Sequence, residues 1–427
     1  MTPKGLRTVD SSAAQTARPK WTVMVFMGVA HVEGTGVPLS QHADDDVNEM
    51  KEVFRDGNSD LLNVFVQRHG IGIPTREWIR RESEAEPVPE EERDAANGNA
   101  LKSFMISSLT LARHQPGDVS VLILWGHAYH FALGHTETPT GIEALDFGEL
   151  KTVLTDFQKD VAGEFQPEWS TSPSEASTET LPRLDILAFD ACDLAGIEVA
   201  HHLYPFADYM VASQIGIPLP GWPYSRILGR LKESLTQDRP MEPAEFGAFV
   251  VRRFCEHYQE QDPDNNPVPV SLTLLDLTKA PDAFAAAEHL AQQLAIAGGI
   301  DGDELALTQE LFSRSQTIPG KPFIDVADFC LNVSQYSTVA AVRSAAAALG
   351  DILIRPSTNG NGDSSRGSFI VEHSRNTHST ARLHGASLYA PQIVDDDWRV
   401  SRFFYAKFGS ERESSWSRLV HVLAEGV

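Results

Sequence analysis

From Trp21 the chain reads WTVMVFMGVA, an unbroken run of apolar, β-branched and aromatic residues. A strand covered on both faces of a sheet has this pattern, because neither side of its pleat meets water. LLNVFVQR (61–68), DVSVLILWGH (118–127), LDILAFD (184–190), DYMVASQ (208–214) and the stretch 268–277 repeat it. Between these runs the apolar period changes to that of helices. In DDDVNEMKEVF (44–54), Val47, Met50 and Phe54 share a helical face, with acidic residues in the first turn. Further helices are expected at 100–112, 147–160 and 243–259. Strands alternating with helices predict an α/β fold with a mostly parallel central sheet. After 277, an Ala-rich helix (281–297) and the short strand GASLYAP (385–391) predict a C-terminal α/β lobe.

The polar stretches divide the chain. Residues 1–20, rich in Ser, Thr and Ala, read as a flexible tail, and 80–96 as a solvated loop. FQPEWSTSPSEASTET (165–180) has no period at all and reads as an exposed loop, as does STNGNGDSSRG (357–367). The expected organisation is therefore a tail, a core over 21–277, and a subdomain over 278–427 packed on that core. No internal repeat is visible.

Acidic residues outnumber basic ones by 59 to 35, a formal charge of −24. Such a surface repels phosphate backbones, and no basic patch offsets it, so nucleic acid is not an expected partner. No apolar run is long enough for a membrane helix, and the first twenty residues contain no apolar core of a secretory signal. The cysteines, Cys192, Cys255 and Cys330, are too few and odd in number for a disulfide framework. These features together predict a cytoplasmic protein.

Chemistry concentrates at two strand ends. Cys192 follows LDILAFDA, and His127 ends DVSVLILWGH. In α/β sheets, reactive groups gather outside the carboxyl ends of strands, where a thiol and an imidazole from two strands can meet. A helix expected to start at Cys192 would favour its thiolate. Asp190 closes an apolar strand, where a carboxylate is costly to bury without a cationic partner. Cys255 and Cys330 sit within helical patterns and read as core. His130 and His135 follow His127 without acidic or cysteine partners at zinc spacing, and His201 and His202 read as packing or surface residues. Asp44–Asp46 lack the alternation of a calcium loop and read as a solvated helix start. No G-x-S-x-G, Walker A, H-E-x-x-H or G-x-G-x-x-G motif is present.

With these residues in view, the chain resembles the clostripain-like cysteine peptidases (peptidase family C11) of the caspase, gingipain and legumain clan. WTVMVFM and DDDVNEMKEV resemble the family's first strand and helix, VLILWGHAYH its histidine strand, and LDILAFDACDLAGIEVAHHL its nucleophile segment. DYMVASQIGIPLPGWPY resembles the strand and Gly-Trp-Pro-Tyr loop that follow, and VSLTLLDLTK, FIDVADFC and HGASLYAP echo later elements in order.

The resemblance implies a caspase-like α/β/α sandwich and an endopeptidase acting through a Cys192–His127 dyad. It implies an oxyanion site made by the N–H groups of Cys192 and Ala128, and a pocket in which Asp190 selects Arg or Lys at P1. Ala128 stands where relatives usually carry glycine; were that position left-handed, alanine would cost about 1 kcal/mol or more. Gln214 stands where relatives often carry an acidic residue, and takes a substrate-binding position by that correspondence. The dyad requires no cofactor. Calcium is used by some relatives, and no site for it stands out here. Relatives are commonly made as zymogens, and the 165–180 loop, bracketed by Lys159 and Arg183, is the expected place of activation by self-cleavage or an upstream protease. The expected partners are protein substrates with a basic P1 residue, in a regulated signalling or defence role. A non-catalytic caspase-like binding module, and a cysteine-dependent hydrolase or transferase of other acyl groups, are the alternatives.

Overall fold

The sheet is wound around its first strand. The computed structural model describes residues 18–28, 39–69, 73–129, 131–138, 141–164, 182–261, 267–300, 302–354, 368–391 and 414–425. The tail and the 165–180 and 357–367 loops therefore lie wholly or almost wholly outside the described residues.

In chain order, β1 (Trp21–Gly28) leads to α1 (Leu39–Glu52), β2 (Leu62–His69) and the edge strands β3 (Thr75–Ile79) and β4 (Glu86–Pro87). Helix α2 (Gly98–Ala112) returns the chain to β5 (Val119–Gly126). The short strands β6 (Ala128–Tyr129), β7 (Ala132–Thr138) and β8 (Gly141–Asp146) then form a separate antiparallel sheet. Next come α3 (Phe147–Glu164), β9 (Leu184–Asp190), α4 (Ile197–Leu203), β10 (Ala207–Ala212), α5 (Tyr224–Leu235), α6 (Pro243–Glu260) and β11 (Ser271–Asp276). The rest comprises α7 (Ala280–Ile300), α8 (Gly302–Arg314), β12 (Phe323–Asp325), α9 (Val326–Tyr336), α10 (Ala340–Leu353), β13 (Ile370–Arg375), β14 (Ser387–Tyr389) and α11 (Ser415–Glu425).

Among the described residues the main sheet has the order β13-β11-β10-β9-β5-β1-β2-β3-β4. Its central strands β10, β9, β5, β1 and β2 are parallel, and both edges are antiparallel. Every residue of β1 is buried, as its sequence requires. Alternation along the central strands separates two apolar clusters. Val23, Val25, Ile123, Trp125, Ile186 and Ala188 face α1, α5 and α6. Met24, Phe26, Leu124, Leu187 and Phe189 join a cluster with α2, α3, α4 and the later helices. This is the α/β/α sandwich with mostly parallel strands expected above.

The chain beyond 277 does not stand apart from the rest. β13 adds a strand to the main sheet beside β11, and residues of α7, α9 and α10 share one apolar cluster with the sheet. β12 and β14 pair in a small sheet of their own. No helix among the described residues is long and apolar enough to cross a membrane.

Helix α1 begins at Leu39, a turn earlier than its acidic residues indicated. Leu39, Ala43, Asp46 and Met50 form its buried stripe, so the Asp44–Asp46 run sits inside the helix. Asp44 pairs with Arg68, Asp45 accepts a hydrogen bond from Gln41, and Asp46 is turned into the protein. The solvated helix start expected there is corrected for Asp46.

Candidate active site

Register brings the two reactive strand ends together. β5 and β9 are neighbours, with Trp125 opposite Asp190. His127 and Cys192 each lie two residues beyond that pair, at the same end of adjacent parallel strands, which run roughly 4.8 Å apart. β5 ends at Gly126, whose φ of +142° is a conformation for glycine. A Cβ there would lie 2.5 Å from the carbonyl oxygen of Gly28, its partner in β1. The glycine needed near the histidine thus precedes it. Ala128 belongs to β6 and is not among the left-handed residues, so the alanine carries no such backbone penalty.

Cys192 is not at a helix terminus. Asp193 takes a left-handed conformation (φ +60°), and the chain turns at Ala195, where the Gly196 N–H donates to the Leu194 carbonyl at 2.8 Å, before Gly196 caps α4. Asp193 and Ala195 donate their N–H groups to Ile215 and Ser213 beyond β10, and Ser387 of β14 donates to Ala195. Held between these two segments, the residues after the cysteine cannot coil until Ile197. The help expected from a helix dipole is therefore absent.

The thiol is instead in a discouraging environment. Burial, then the neighbouring Asp193, push Cys192 up to about 11, against smaller opposing effects of the Ile217 N–H and Lys321. Ile217 donates its N–H to Cys192 Sγ at 3.3 Å. Lys321, just before β12, pairs with Asp193 at 3.3 Å. Burial also holds half-buried His127 below its ordinary value. At rest, then, the site holds a protonated thiol and a neutral imidazole.

Asp190 ends β9 on the face covered by α1, α5 and α6. Its Oδ2 accepts hydrogen bonds from the Trp222 N–H at 3.1 Å and the Tyr224 hydroxyl at 3.0 Å. Its Oδ1 is buried with no hydrogen-bond partner, and no ion pair reaches the carboxyl among the described residues. Burial raises Asp190 to about 7. Asp46 lies beside it and accepts the Trp125 indole N–H at 2.7 Å.

Gln214 has another occupation. Its side chain, 1% exposed, donates to Asp325 at 3.0 Å and Ser387 at 3.2 Å, and accepts the Gly385 N–H at 2.7 Å. The amide ties β10 to the C-terminal elements rather than lining the pocket with Asp190. The other candidates are quickly placed. Cys255 and Cys330 are buried core residues, His202 donates its Nε2–H to the Phe147 carbonyl, and His201 stacks on Phe284. His130 and the His135 side chain lie outside the described residues.

Calcium does not fit the acidic run of α1, because Asp44 and Asp45 are engaged by Arg68 and Gln41 while Asp46 faces the opposite way, into the core. No group of three His, Cys, Asp or Glu able to hold a metal occurs among the described residues. Sequence reasoning missed Asp46, Trp125, Tyr224 and Lys321. The Gly-Trp-Pro-Tyr loop was the one available signal, since Gly221, Trp222 and Tyr224 all border Asp190.

Comparison with known proteins agrees with this architecture. The fold is similar to that of a secreted C11 cysteine protease from Bacteroides thetaiotaomicron in complex with an irreversible peptide inhibitor, at 14% identity and a TM-score of 0.59, covering 92% of this chain and 99% of that one. An inactive zymogen C11 protease from Parabacteroides distasonis is similar at 13% identity and a TM-score of 0.59, covering 94% and 98%. No curated protein matches in sequence. The model of the clostripain family, Peptidase C11, matches residues 34–341, well over half of the chain. A cysteine at the end of one central strand, a histidine at the end of its neighbour and this family match lead to one conclusion: the chain belongs to the clostripain family of cysteine peptidases.

Proposed function

We propose that the protein is an endopeptidase cutting after Arg or Lys through Cys192 and His127, and that it is made in a resting form. The observation that carries the specificity is the buried, cation-free carboxyl of Asp190, two residues before the cysteine. A guanidinium or ammonium entering beside it would supply the partner that the carboxyl lacks.

In the proposed reaction, His127 takes the thiol proton as Cys192 Sγ bonds to the scissile carbonyl carbon. The N–H groups of Cys192 and Ala128 stabilise the oxyanion. The imidazolium then protonates the leaving amine, the C–N bond breaks, and a thioester remains. Water, deprotonated by His127, hydrolyses that thioester and restores the thiol.

A resting form is supported by the buried, protonated thiol, with Asp193 beside it, and by the burial of Asp190. Activation by cleavage within 165–180, by the protein itself or by an upstream protease, is part of the proposal, and the zymogen relative lends it analogy. Three unpaired cysteines support a reducing, cytoplasmic setting and a regulatory role on protein partners.

The test is a panel of fluorogenic peptides varied at P1, assayed with and without calcium and after mild proteolysis. Expected is cleavage after Arg and Lys that Cys192→Ala abolishes. Asp190→Asn should lower kcat/KM for Arg peptides by roughly two orders of magnitude or more, as for a buried charge pair losing one member. Equal turnover of neutral and basic P1 residues would sink the specificity. Intact wild type and Cys192→Ala chains after incubation would rule out self-cleavage.

A further inference from the structure

Asp46 is a buried carboxyl that the proposed reaction does not use. Its position is marked by Gly221, a left-handed residue (φ +65°). A Cβ on Gly221 would stand 3.0 Å and 3.4 Å from the two oxygens of Asp190 and 3.4 Å from Oδ2 of Asp46. Both carboxyls therefore stand against the same face of Gly221, so close that a side chain at 221 would crowd them. The unpartnered Oδ1 of Asp190 is the one 3.4 Å from that point.

The walls are aromatic and come from three elements. Trp125 of β5 donates to Asp46, Tyr224 of α5 donates to Asp190, and Tyr258 of α6 donates its hydroxyl to the Gly221 carbonyl at 2.8 Å. The charges acting on the pair are negative: Glu49 and Asp45 on α1 act on Asp46, and both carboxyls act on Tyr224 and Tyr258. On α5 and α6, Arg226 and Arg253 are paired with Glu260. No cation pairs with Asp46 or Asp190 among the described residues.

We infer that Asp46 is a second specificity-determining residue of the P1 pocket, and that the two carboxyls together bind the two edges of an arginine guanidinium. This rests on the proposed cleavage after Arg or Lys and adds a residue and an order to it. A guanidinium presents parallel N–H donors along more than one edge, whereas an ammonium is a point charge that cannot satisfy two carboxylates as fully. Arg is therefore preferred to Lys.

A proton accounts for the resting state. Two neighbouring carboxyls in a dry site do not both ionise. Burial, then Asp190, lift Asp46 to about 9, while Asp190 lies at about 7, so at neutral pH the pair keeps a proton. The incoming guanidinium brings one positive charge, and the proton leaves to solvent as the second carboxyl ionises.

The experiment compares peptides with Arg, Lys or citrulline, a neutral isostere of Arg, at P1, between pH 5.5 and 9. It uses wild type, Asp46→Asn and Asp190→Asn, each after mild proteolysis. Proton release on binding benzamidine is measured in parallel by calorimetry in two buffers. Iodoacetamide alkylation of Cys192 reports separately on the nucleophile. Expected is a wild-type preference for Arg over citrulline that rises with pH, with protons released on benzamidine binding. Asp46→Asn should lower the Arg to citrulline ratio at least tenfold, mainly through KM, and flatten the pH dependence. A wild-type ratio and pH profile in Asp46→Asn would overturn the role of Asp46 and leave cleavage after Arg standing. A wild type indifferent between Arg and citrulline would overturn both. Should Asp46→Asn fail to fold, benzamidine binding to wild type without proton release between pH 6 and 8 overturns the inference.

Discussion

Two buried aspartates, at the ends of neighbouring parts of the same fold, are treated in opposite ways. Asp325 is fully buried and fully partnered. Its oxygens accept the Asp328 N–H at 2.8 Å, the Gln214 amide at 3.0 Å, and from His384 both the backbone N–H at 2.6 Å and the ring nitrogen at 3.0 Å. Asp190 is nearly as buried, yet one of its oxygens has no partner and its nearest acid is a second carboxyl. A buried charge is stable when its surroundings supply donors and a cation, as at Asp325. One left short, two residues before the proposed nucleophile, is a candidate place for a charged ligand. The contrast separates the carboxyl that holds the C-terminal elements to the core from the one to which the proposed function gives the substrate side chain.

Breaking Asp325 should have the largest effect on stability. Asp325→Ala removes the α9 N-cap, leaves His384 without its acceptor and leaves the Gln214 amide only Ser387, a loss of about 3–5 kcal/mol in denaturant unfolding. The P1 preference of whatever enzyme remains should not change. A variant that keeps its stability but loses its choice of Arg would invert the comparison.

Gln214→Ala is the milder version. It leaves the Gly385 N–H without its acceptor and Asp325 one donor short, at about 1–3 kcal/mol. Because the amide serves the fold and not the pocket, the ratio of Arg to Lys cleavage should stay as in wild type. A shift in that ratio, measured with the same peptides, would return Gln214 to the substrate wall.

The remaining effects are read as a dependence on pH. The hydrogen bond to Asp325 raises His384, so its stabilisation is complete below its ordinary value of 6.5 and is lost as pH rises through the folded value. Asp190 and Asp46 are raised too, so the folded state is favoured below their ordinary 3.8 and loses stability as pH rises through about 7 and about 9. Unfolding measured from pH 5 to 9 should therefore show stability falling throughout. Asp46→Asn should flatten the upper part of that fall, and His384→Gln should leave the upper part unaltered. Identical curves for wild type and Asp46→Asn would mean that the carboxyl pair does not titrate as a unit.

Much of this was legible in the sequence. The strands holding the site are continuous apolar runs, and the residues just past them, His127 and Cys192, could be picked out because strand ends are where side chains leave the sheet. The turn after Cys192 misled: DLAGIEV has helical spacing from the start, but hydrogen bonds from Asp193 and Ala195 to residues 215 and 213 keep it out of the helix until Ile197. The acidic run on α1 misled likewise, because which of three consecutive aspartates faces inward depends on where the helix begins. Leu39 and Ala43 place that start earlier than the charges indicate.

By itself, then, the sequence determined the central strands, most of the helices that cover them, the apolar faces and the two strand ends that carry His127 and Cys192. These follow from neighbours within one or two turns of chain, where period and propensity act. Only the tertiary structure decided that Asp46 joins Asp190, that Gln214 belongs to the Asp325 network, and that Cys192 rests protonated beneath the Ile217 N–H. These depend on desolvation and on Coulomb interactions a few ångströms long between residues distant in the chain. The cysteine at the end of β9 was visible from the start, but the burial that holds its thiol protonated, and the left-handed Asp193 placed beside it, exist only in the folded chain.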